Sequence, residues 1–330
     1  MASSLRLAAA PGQATVLTRK GGHLAVLRPA PRFAAFQSRP RCAALRPVMV
    51  ASAESAALEG AQARGASITD TMQALKREGR VAFIPFLVAC DPDRDTTVEA
   101  IRRLDALGAS VIELGVPYCD PVADGPVIQA AATRGLAHGT TLDDVLGLVA
   151  EVAPTIKAPI LLFVYFNPIL TRGLEKFCAQ AIAAGAKGLL VPDIPLEEAS
   201  AVADVAAAHG LELVLLTTPT TPPERMQAIA RRSSGFVYLV SITGVTGVKE
   251  AMEARVEGLI AELQRQTDKP VAVGFGVSRP DQARQLAGWG AEGVIVGSAL
   301  VRALGEAASP AEGLDAMAEL AASLVQAIQK

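Results

Sequence analysis

The chain has 330 residues, of which 51% are hydrophobic and only 4% aromatic, and this composition suits one large α/β domain or two smaller ones. No apolar run reaches the ~18 residues that a membrane-spanning helix needs, which predicts a soluble protein without a membrane partner. The formal net charge of −2 arises from 31 basic and 33 acidic residues, and the basic residues are concentrated at the beginning of the chain.

Residues 1–53 contain no acidic residue, since the first one is Glu54, and they carry eight of the basic residues. A basic, acid-poor leader rich in Ala and Pro is typical of an organelle transit peptide, so we expect a disordered transit peptide at 1–53 and a linker at 54–64. A basic arm that contacts nucleic acid is the alternative. The rest of the chain has 23 basic against 33 acidic residues. Because an acidic body does not attract phosphate backbones over long range, no nucleic-acid partner is expected.

From residue 81 onward, a short β-branched run, a turn and a helical pattern recur along the chain. The eight predicted strands are Val81–Val88, Ser110–Val116, Ile160–Phe166, Gly188–Val191, Glu212–Thr217, Phe236–Ser241, Pro270–Gly274 and Gly293–Val296. Strands that alternate with helices imply a parallel sheet, and eight such units close most naturally into a (β/α)8 TIM barrel. A doubly wound open sheet is the alternative.

Two further helices are predicted at the ends of this repeat. Ile68, Met72 and Leu75 have the spacing of one helical face. They predict an extra N-terminal helix that plugs the bottom of the barrel. A long amphipathic helix at Ala311–Ile328 would close the outer ring. No linker interrupts residues 65–330, which we interpret as one catalytic domain.

A carboxylate stands within the apolar second strand, where Glu113 lies in the run Val111–Val116. Burying a carboxylate is costly unless it is paired or functional. Catalytic groups of TIM barrels lie at the C-terminal ends of strands and in the loops that follow, so Glu113 is a candidate for catalysis. The next loop adds Asp120 and Asp124. The alternatives are that Glu113 pairs with a buried Arg and that the two aspartates only shape turns.

Glycines follow the last two strands in a pattern that favours a phosphate site. Gly274-Phe275-Gly276 comes after the seventh strand, and Gly297-Ser298 comes after the eighth and opens a helix. Glycines let backbone N–H groups approach an anion, and a helix N-terminus adds its dipole. These two loops form the recurrent phosphate cradle of TIM barrels. Tight turns that need glycine are the alternative. The sixth loop, 243–250, is either a mobile lid or an ordinary flexible turn.

The residue inventory does not favour metal or Schiff-base chemistry. The three histidines, His23, His138 and His209, are scattered, so neither a metal nor a cofactor is expected. A Schiff-base aldolase needs a lysine at a strand end in the mouth, whereas Lys187 precedes the fourth strand and Lys249 lies in the sixth loop. The reaction type that the residues still favour is acid–base chemistry by carboxylates on a phosphorylated substrate.

Five segments recur together in one known family: VIELGVPYCDPVADGP at 111–126, VPDIP at 191–195, FVYLVSITGVTG at 236–247, VGFG at 273–276 and VGS at 296–298. The chain resembles the tryptophan synthase alpha subunit family, the indole-3-glycerol phosphate lyases, over about residues 65–328. The first segment is highly specific, whereas the glycine pairs alone are not. Cys90 is a departure, because the family commonly has Gly there, and it puts the local turn in question.

The resemblance implies a lyase that cleaves indole-3-glycerol phosphate to indole and glyceraldehyde 3-phosphate in L-tryptophan biosynthesis. It implies that Glu113 moves protons between the glycerol hydroxyl and indole C3, and that Asp124 holds the indole N–H. The implied substrate-binding residues are Phe86, Tyr165, Tyr238 and the lid residue Thr246. The implied phosphate-binding residues are Gly247, Phe275, Gly276, Gly297 and Ser298.

The resemblance also implies a partner and a compartment. We expect a tryptophan synthase beta subunit to dock over the mouth, in a heterotetramer, through Pro121, Val122, Val245 and Val248. Plant members of the family work in the plastid, so we expect the chloroplast stroma after removal of the transit peptide. The alternatives are a stand-alone lyase that releases free indole, an inactive barrel that acts as an allosteric partner, and a different phosphate-binding barrel such as a sugar-phosphate isomerase.

Overall fold

The computed structural model describes residues 65–241, 249–274 and 276–329. Eight parallel strands follow one another around a closed barrel, and the last strand pairs with the first. The strands are β1 Ala82–Val88, β2 Ile112–Gly115, β3 Ile160–Phe163, β4 Gly188–Leu190, β5 Glu212–Thr217, β6 Val237–Val240, β7 Val271–Gly274 and β8 Gly293–Val296. The predicted TIM barrel is confirmed, and the open sheet is wrong.

Twelve α-helices and one short 3-10 helix, Ala153–Thr155, lie in the part of the chain that the structure describes, and most of the α-helices surround the barrel. The α-helices are α1 Ile68–Arg77, α2 Arg94–Ala106, α3 Pro126–Ala137, α4 Leu142–Val152, α5 Phe166–Arg172, α6 Leu174–Ala184, α7 Leu196–Ala208, α8 Pro223–Arg232, α9 Lys249–Gln266, α10 Pro280–Gly288, α11 Ser298–Gly305 and α12 Pro310–Ile328. Among these residues, no helix is both long and apolar enough to cross a membrane.

Side chains alternate between the two faces of each strand and thereby build two apolar layers. In β1, Phe83 and Leu87 pack outward against the helices, whereas Ile84, Phe86 and Val88 point into the barrel. The inner layer fills the barrel, so the interior is a packed core and the loops at the carboxyl ends of the strands form its mouth.

The amino end of the barrel is plugged by α1, as predicted. Ser67 caps this helix by accepting the N–H of Asp70 at 2.9 Å, and Ile68 and Met72 are fully buried in the inner layer. The plug fits closely: a Cβ on Gly188 would lie 2.6 Å from the Ile68 side chain. The backbone N–H of Thr69 is donated to the carboxylate of Glu212 on β5 at 2.9 Å, which fastens the first turn of α1 to the barrel.

The turn after β1 contains Cys90, the residue that put this turn in question. The structure places Cys90 in the left-handed region, with φ 59°, which a glycine would enter without steric cost. Cys90 therefore adopts the backbone conformation that glycine favours. The next residue, Asp91, is buried and accepts two hydrogen bonds from the Arg134 guanidinium, at 2.6 and 2.9 Å. This pair anchors α3 to the end of β1.

Candidate active site

Glu113 lies in the middle of β2, between Phe86 of β1 and Leu161 of β3 in the strand register. Its side chain is 1% exposed, and neither carboxyl oxygen has a hydrogen-bond partner among the described residues. The alternative of pairing with a buried Arg is therefore wrong. Burial, and next the charge of Asp124, raise the pKa of Glu113 to about 8. At neutral pH this carboxyl is protonated and can donate a proton.

Asp124 is the second carboxylate of the mouth, and it is carried by loop two, the segment 116–125 between β2 and α3. The backbone N–H of Asp124 is donated to the carbonyl of Pro121 at 3.1 Å, a turn that folds the loop back over the barrel. The side chain of Asp124 accepts a hydrogen bond from the Tyr165 hydroxyl at 3.0 Å. Burial raises the pKa of Asp124 to about 6, and the hydrogen bond from Tyr165 opposes that rise. Asp124 is mostly ionised at neutral pH.

An aromatic wall stands beside the two carboxylates. Phe86 packs edge-on against Phe163 with ring centroids 5.5 Å apart, and Phe163 packs edge-on against Tyr165 at 5.9 Å. Gly115 makes room for this wall, because a Cβ there would lie 2.7 Å from the Phe86 ring. Such a surface favours a flat apolar ligand.

Tyr238 extends the site across the barrel from β6. It is buried, and Gly274 on the neighbouring β7 leaves space for its hydroxyl, since a Cβ at that position would lie 2.6 Å from the oxygen. Burial raises the pKa of Tyr238, and the charges of Glu113 and Asp124 add to the rise. The electrostatic effect of both carboxylates therefore reaches Tyr238, which remains a neutral phenol.

The predicted phosphate residues that the structure describes lie in the turns after β7 and β8. Gly276 is exposed and has φ 80°, a conformation that favours glycine. Gly297 precedes α11, and a Cβ on it would lie 3.4 Å from Phe86, so this turn adjoins the aromatic wall. Ser298 is exposed in the first turn of α11, where backbone N–H groups have no partner within the helix.

Part of the predicted site lies outside the described residues. Thr246, Gly247 and the docking residues Val245 and Val248 fall in the segment 242–248, and Phe275 is also outside. Their predicted roles, and the interpretation of the sixth loop as a lid, stay predictions.

Two residues of this region were missed by sequence reasoning. Phe163 is the central ring of the aromatic wall, but in the sequence it is one apolar residue within a predicted strand. Asp193 accepts the backbone N–H of Phe166 at 2.8 Å and so fixes the residue that follows Tyr165. The only sequence signal for Asp193 was its place in the segment VPDIP.

The carboxyl ends of the strands thus bring together Phe86, Glu113, Asp124, Tyr165 and Tyr238, all predicted as site residues. The fold and this site define a TIM-barrel enzyme equipped for acid–base chemistry on a ligand with a flat apolar part. The family model described as tryptophan synthase alpha chain matches residues 72–329. The chain belongs to this family, whose members are lyases that cleave indole-3-glycerol phosphate, so the predicted family, fold and activity are confirmed.

Individual relatives agree with this assignment. The tryptophan synthase alpha chain of Picosynechococcus sp. is 56% identical over 262 residues, which cover 79% of this chain and 99% of the relative. The crystal structure of tryptophan synthase subunit alpha from Legionella pneumophila has a TM-score of 0.73 at 38% identity, covering 79% of this chain and 97% of that one. A structure of the tryptophan synthase complex from Pyrococcus furiosus has a TM-score of 0.69 at 37% identity, covering 75% and 98%.

Proposed function

We propose that the chain cleaves indole-3-glycerol phosphate with Glu113 as the acid–base group and Asp124 as the stabilising carboxylate. The observation that carries this proposal is the pair of mouth carboxylates, whose pKa values burial raises to about 8 and about 6. When their surroundings give two titratable groups different pKa values, the two groups take different roles at the same pH. At pH 7 the first carboxyl holds a proton and the second carries a charge.

The reaction follows from these two states. Glu113 protonates indole C3, which places positive charge on the ring nitrogen. Asp124, ionised, stabilises that charge where it develops. The Glu113 carboxylate then accepts the proton of the glycerol hydroxyl as the bond between C3 and the glycerol carbon breaks. Indole and glyceraldehyde 3-phosphate leave, and Glu113 ends the cycle protonated, as it began.

The ends of the substrate match the two sides of the mouth. The aromatic wall of Phe86 and Phe163 takes the indole ring, with Tyr165 behind the wall and Tyr238 opposite it. The turns at Gly276 and Gly297 and the first turn of α11 at Ser298 take the phosphate, helped by the dipole of the helix. Holding the phosphate fixes the position of the bond that breaks.

The deciding experiment is to incubate the purified mature chain with indole-3-glycerol phosphate and to measure indole and glyceraldehyde 3-phosphate. We expect both products in equal amounts. If the chain formed no indole at every pH between 5 and 9, both alone and with a beta subunit, it would be an inactive barrel that acts as an allosteric partner. This result would refute the proposal.

For the partner, we infer that a tryptophan synthase beta subunit docks on the mouth. Val122 on loop two is 71% exposed and Leu170 on α5 is 56% exposed, and these are the large hydrophobic residues most open to solvent among those described. Apolar side chains in such positions mark interaction sites when they lie together. Indole is apolar, so a partner that covers the exit would keep it from escaping. A stand-alone lyase is the alternative.

Docking is tested by sedimentation of the chain with purified beta subunit. We expect a complex that Val122→Asp and Leu170→Asp weaken. Ala207→Asp is the matched control, since it adds the same charge to an exposed residue near the C-terminal end of α7, at the amino end of the barrel. Rapid indole release that does not respond to the beta subunit, without a complex, would indicate a stand-alone lyase.

Residues 1–53 are proposed to direct the chain to the chloroplast stroma. The support is their composition, since they carry eight basic residues and no acidic residue. The family model begins at residue 72, beyond this segment. A fluorescent protein fused behind residues 1–64 should accumulate in plastids, and the chain without residues 1–53 should keep full lyase activity. A fusion that stays in the cytosol would favour the basic-arm alternative.

A further inference from the structure

We propose that Tyr165 is a positioning residue that holds the Asp124 carboxylate in place and in its charged form, rather than a residue whose hydroxyl binds the substrate. This inference deepens the proposed function and rests on it for its catalytic meaning. Its geometric basis is independent of any substrate, because it concerns contacts within the chain.

The Tyr165 hydroxyl lies between two groups of loop two. It accepts the backbone N–H of Ala123 at 3.0 Å and donates its proton to Asp124 at 3.0 Å. A backbone N–H can only donate, so it occupies a lone pair of the hydroxyl oxygen and leaves the hydroxyl proton for the carboxylate. The direction of the hydrogen bond to Asp124 is thereby fixed.

The ring that carries this hydroxyl is also fixed. Tyr165 is 1% exposed, packs edge-on against Phe163, and stacks on Tyr118 with centroids 5.0 Å apart. The next residue, Phe166, donates its backbone N–H to Asp193 at 2.8 Å. The hydroxyl is therefore preorganised toward loop two, and both sides of it are occupied before a substrate arrives.

The surroundings of Asp124 explain why a donor is needed. At neutral pH Glu113 on β2 is protonated and Tyr238 on β6 is a neutral phenol, so neither offers a positive charge to the carboxylate. Asp193, which faces Tyr165, is acidic. Burial raises the pKa of Asp124 to about 6, and the Tyr165 hydrogen bond is the interaction that lowers it. Without that bond, more of Asp124 would be protonated at neutral pH and unable to stabilise a positive ring nitrogen.

The test compares Tyr165→Phe with Tyr118→Phe in the mature chain. Both changes remove one hydroxyl from the same pair of stacked rings. The Tyr118 hydroxyl, however, accepts from Asn167 at 3.1 Å. The titration midpoint of Asp124 is read by NMR of the ¹³C-labelled side-chain carboxyl, assigned by its loss in Asp124→Asn. We expect the midpoint to rise in Tyr165→Phe and to stay at the wild-type value in Tyr118→Phe.

The kinetic arm follows the pH dependence of kcat/KM. Because the hydrogen bond favours the charged form, its loss should move the acidic limb to higher pH. One hydrogen bond to a charged group should move the limb by about one pH unit, so we expect kcat/KM of Tyr165→Phe to fall about twofold at pH 7 and about tenfold at pH 5, and to recover as the pH rises. Tyr118→Phe should keep the wild-type limb.

An unchanged Asp124 midpoint in Tyr165→Phe, with kcat/KM lowered equally at every pH, would overturn the proposal and make Tyr165 a substrate contact. If Tyr165→Phe does not fold, 3-fluorotyrosine placed at position 165 keeps the hydroxyl and makes it a stronger donor. The midpoint should then fall, and a fixed midpoint would also overturn the proposal. The NMR measurement does not depend on activity. A wild-type chain without lyase activity would therefore refute the proposed function, and the midpoint of Asp124 would still test the role of Tyr165.

Discussion

The two ends of this barrel each hold a glutamate, half-buried at the amino end and fully buried at the carboxyl end, and the contrast between them separates stability from catalysis. At the amino end, Glu212 accepts the backbone N–H of Thr69 and holds the plug helix α1. At the carboxyl end, Glu113 has no hydrogen-bond partner within the described part of the chain. A buried polar group without a partner is costly, so its retention needs a reason other than stability. The paired glutamate, Glu212, therefore has a structural role, and the unpaired glutamate, Glu113, has a catalytic one.

The sharpest test of this contrast is Glu113→Gln. The change removes the proton donor, so we expect kcat to fall on the order of 10²–10⁴-fold, the usual contribution of a general acid–base. Folding should persist. The pKa of Glu113 lies near 8 in the folded chain, above its value near 4.3 in an unfolded chain, so the folded state resists ionisation of this group. This stability is lost as the pH rises from about 4.3 to about 8, and Gln removes that loss.

Indole release and thermal unfolding at pH 7 and pH 9 check both parts of this prediction. Glu113→Gln should unfold at the same temperature as the wild type or a higher one, most clearly at pH 9. Near-wild-type turnover in this variant would contradict the mechanism.

The pH profile of the wild-type chain reports both mouth carboxylates. Asp124 must be ionised, so activity should decline as the pH falls through about 6. Glu113 must start protonated, so activity should also decline as the pH rises through about 8. We expect a bell-shaped kcat/KM whose limbs each approach a tenfold change per pH unit. The two midpoints belong to the interacting pair. A profile that is flat from pH 5 to pH 9 would contradict the shifted pKa values assigned to the two carboxylates.

The phosphate side of the mouth is tested with Ser298→Asp. This substitution sets a negative charge at the start of α11, where the substrate phosphate is expected, so KM should rise about tenfold or more through charge repulsion. Ser298→Asn is the matched control of similar size without the charge, and it should change KM much less. If both variants bind glyceraldehyde 3-phosphate as the wild type does, the phosphate site lies elsewhere.

The smallest expected effect is at the amino end, in Glu212→Gln. The amide oxygen can still accept from Thr69, but the negative charge at the N-terminus of α1 is lost. We expect the free energy of unfolding to fall by about 1 kcal/mol or less, with kcat and KM unchanged. Denaturant unfolding beside the indole assay measures both. A loss of activity as large as that of Glu113→Gln would show that the two ends are not separable in this way.

Local sequence patterns predicted most of the fold, because strands and helices here follow the burial of their apolar faces. The third strand shows where the patterns failed. Ile160–Phe166 was predicted as one strand, yet β3 ends at Phe163 and Phe166 begins α5. The run is apolar throughout, so periodicity does not mark its end. The N–H of Val164 still reaches the carbonyl of Leu190 at 3.0 Å, and Asp193, distant in sequence, then takes the N–H of Phe166 where α5 begins.

The site was predicted unevenly for the same reason. Glu113 could be found from the sequence, since a carboxylate inside an apolar strand is unusual by itself. The contact of Tyr165 with Asp124 joins residues 41 positions apart and depends on the turn at Pro121, which folds loop two over the barrel. No local pattern encodes such a contact. The family resemblance placed Tyr165 on the rim, but only the coordinates give its hydrogen bonds.

The plug helix has a consequence for the order of folding. Its side chains contact positions far along the chain: Ile68 lies against Gly188 and Gly235, and Met72 lies against Gly293. Contacts between residues so distant in sequence form slowly, because a long loop must close first. Synthesis delivers α1 before any of the eight strands, whereas the contact of Met72 needs Gly293 at the start of β8, the last strand. We therefore expect α1 to complete its docking late in folding, and Met72 to stay uncovered until β8 has joined the barrel.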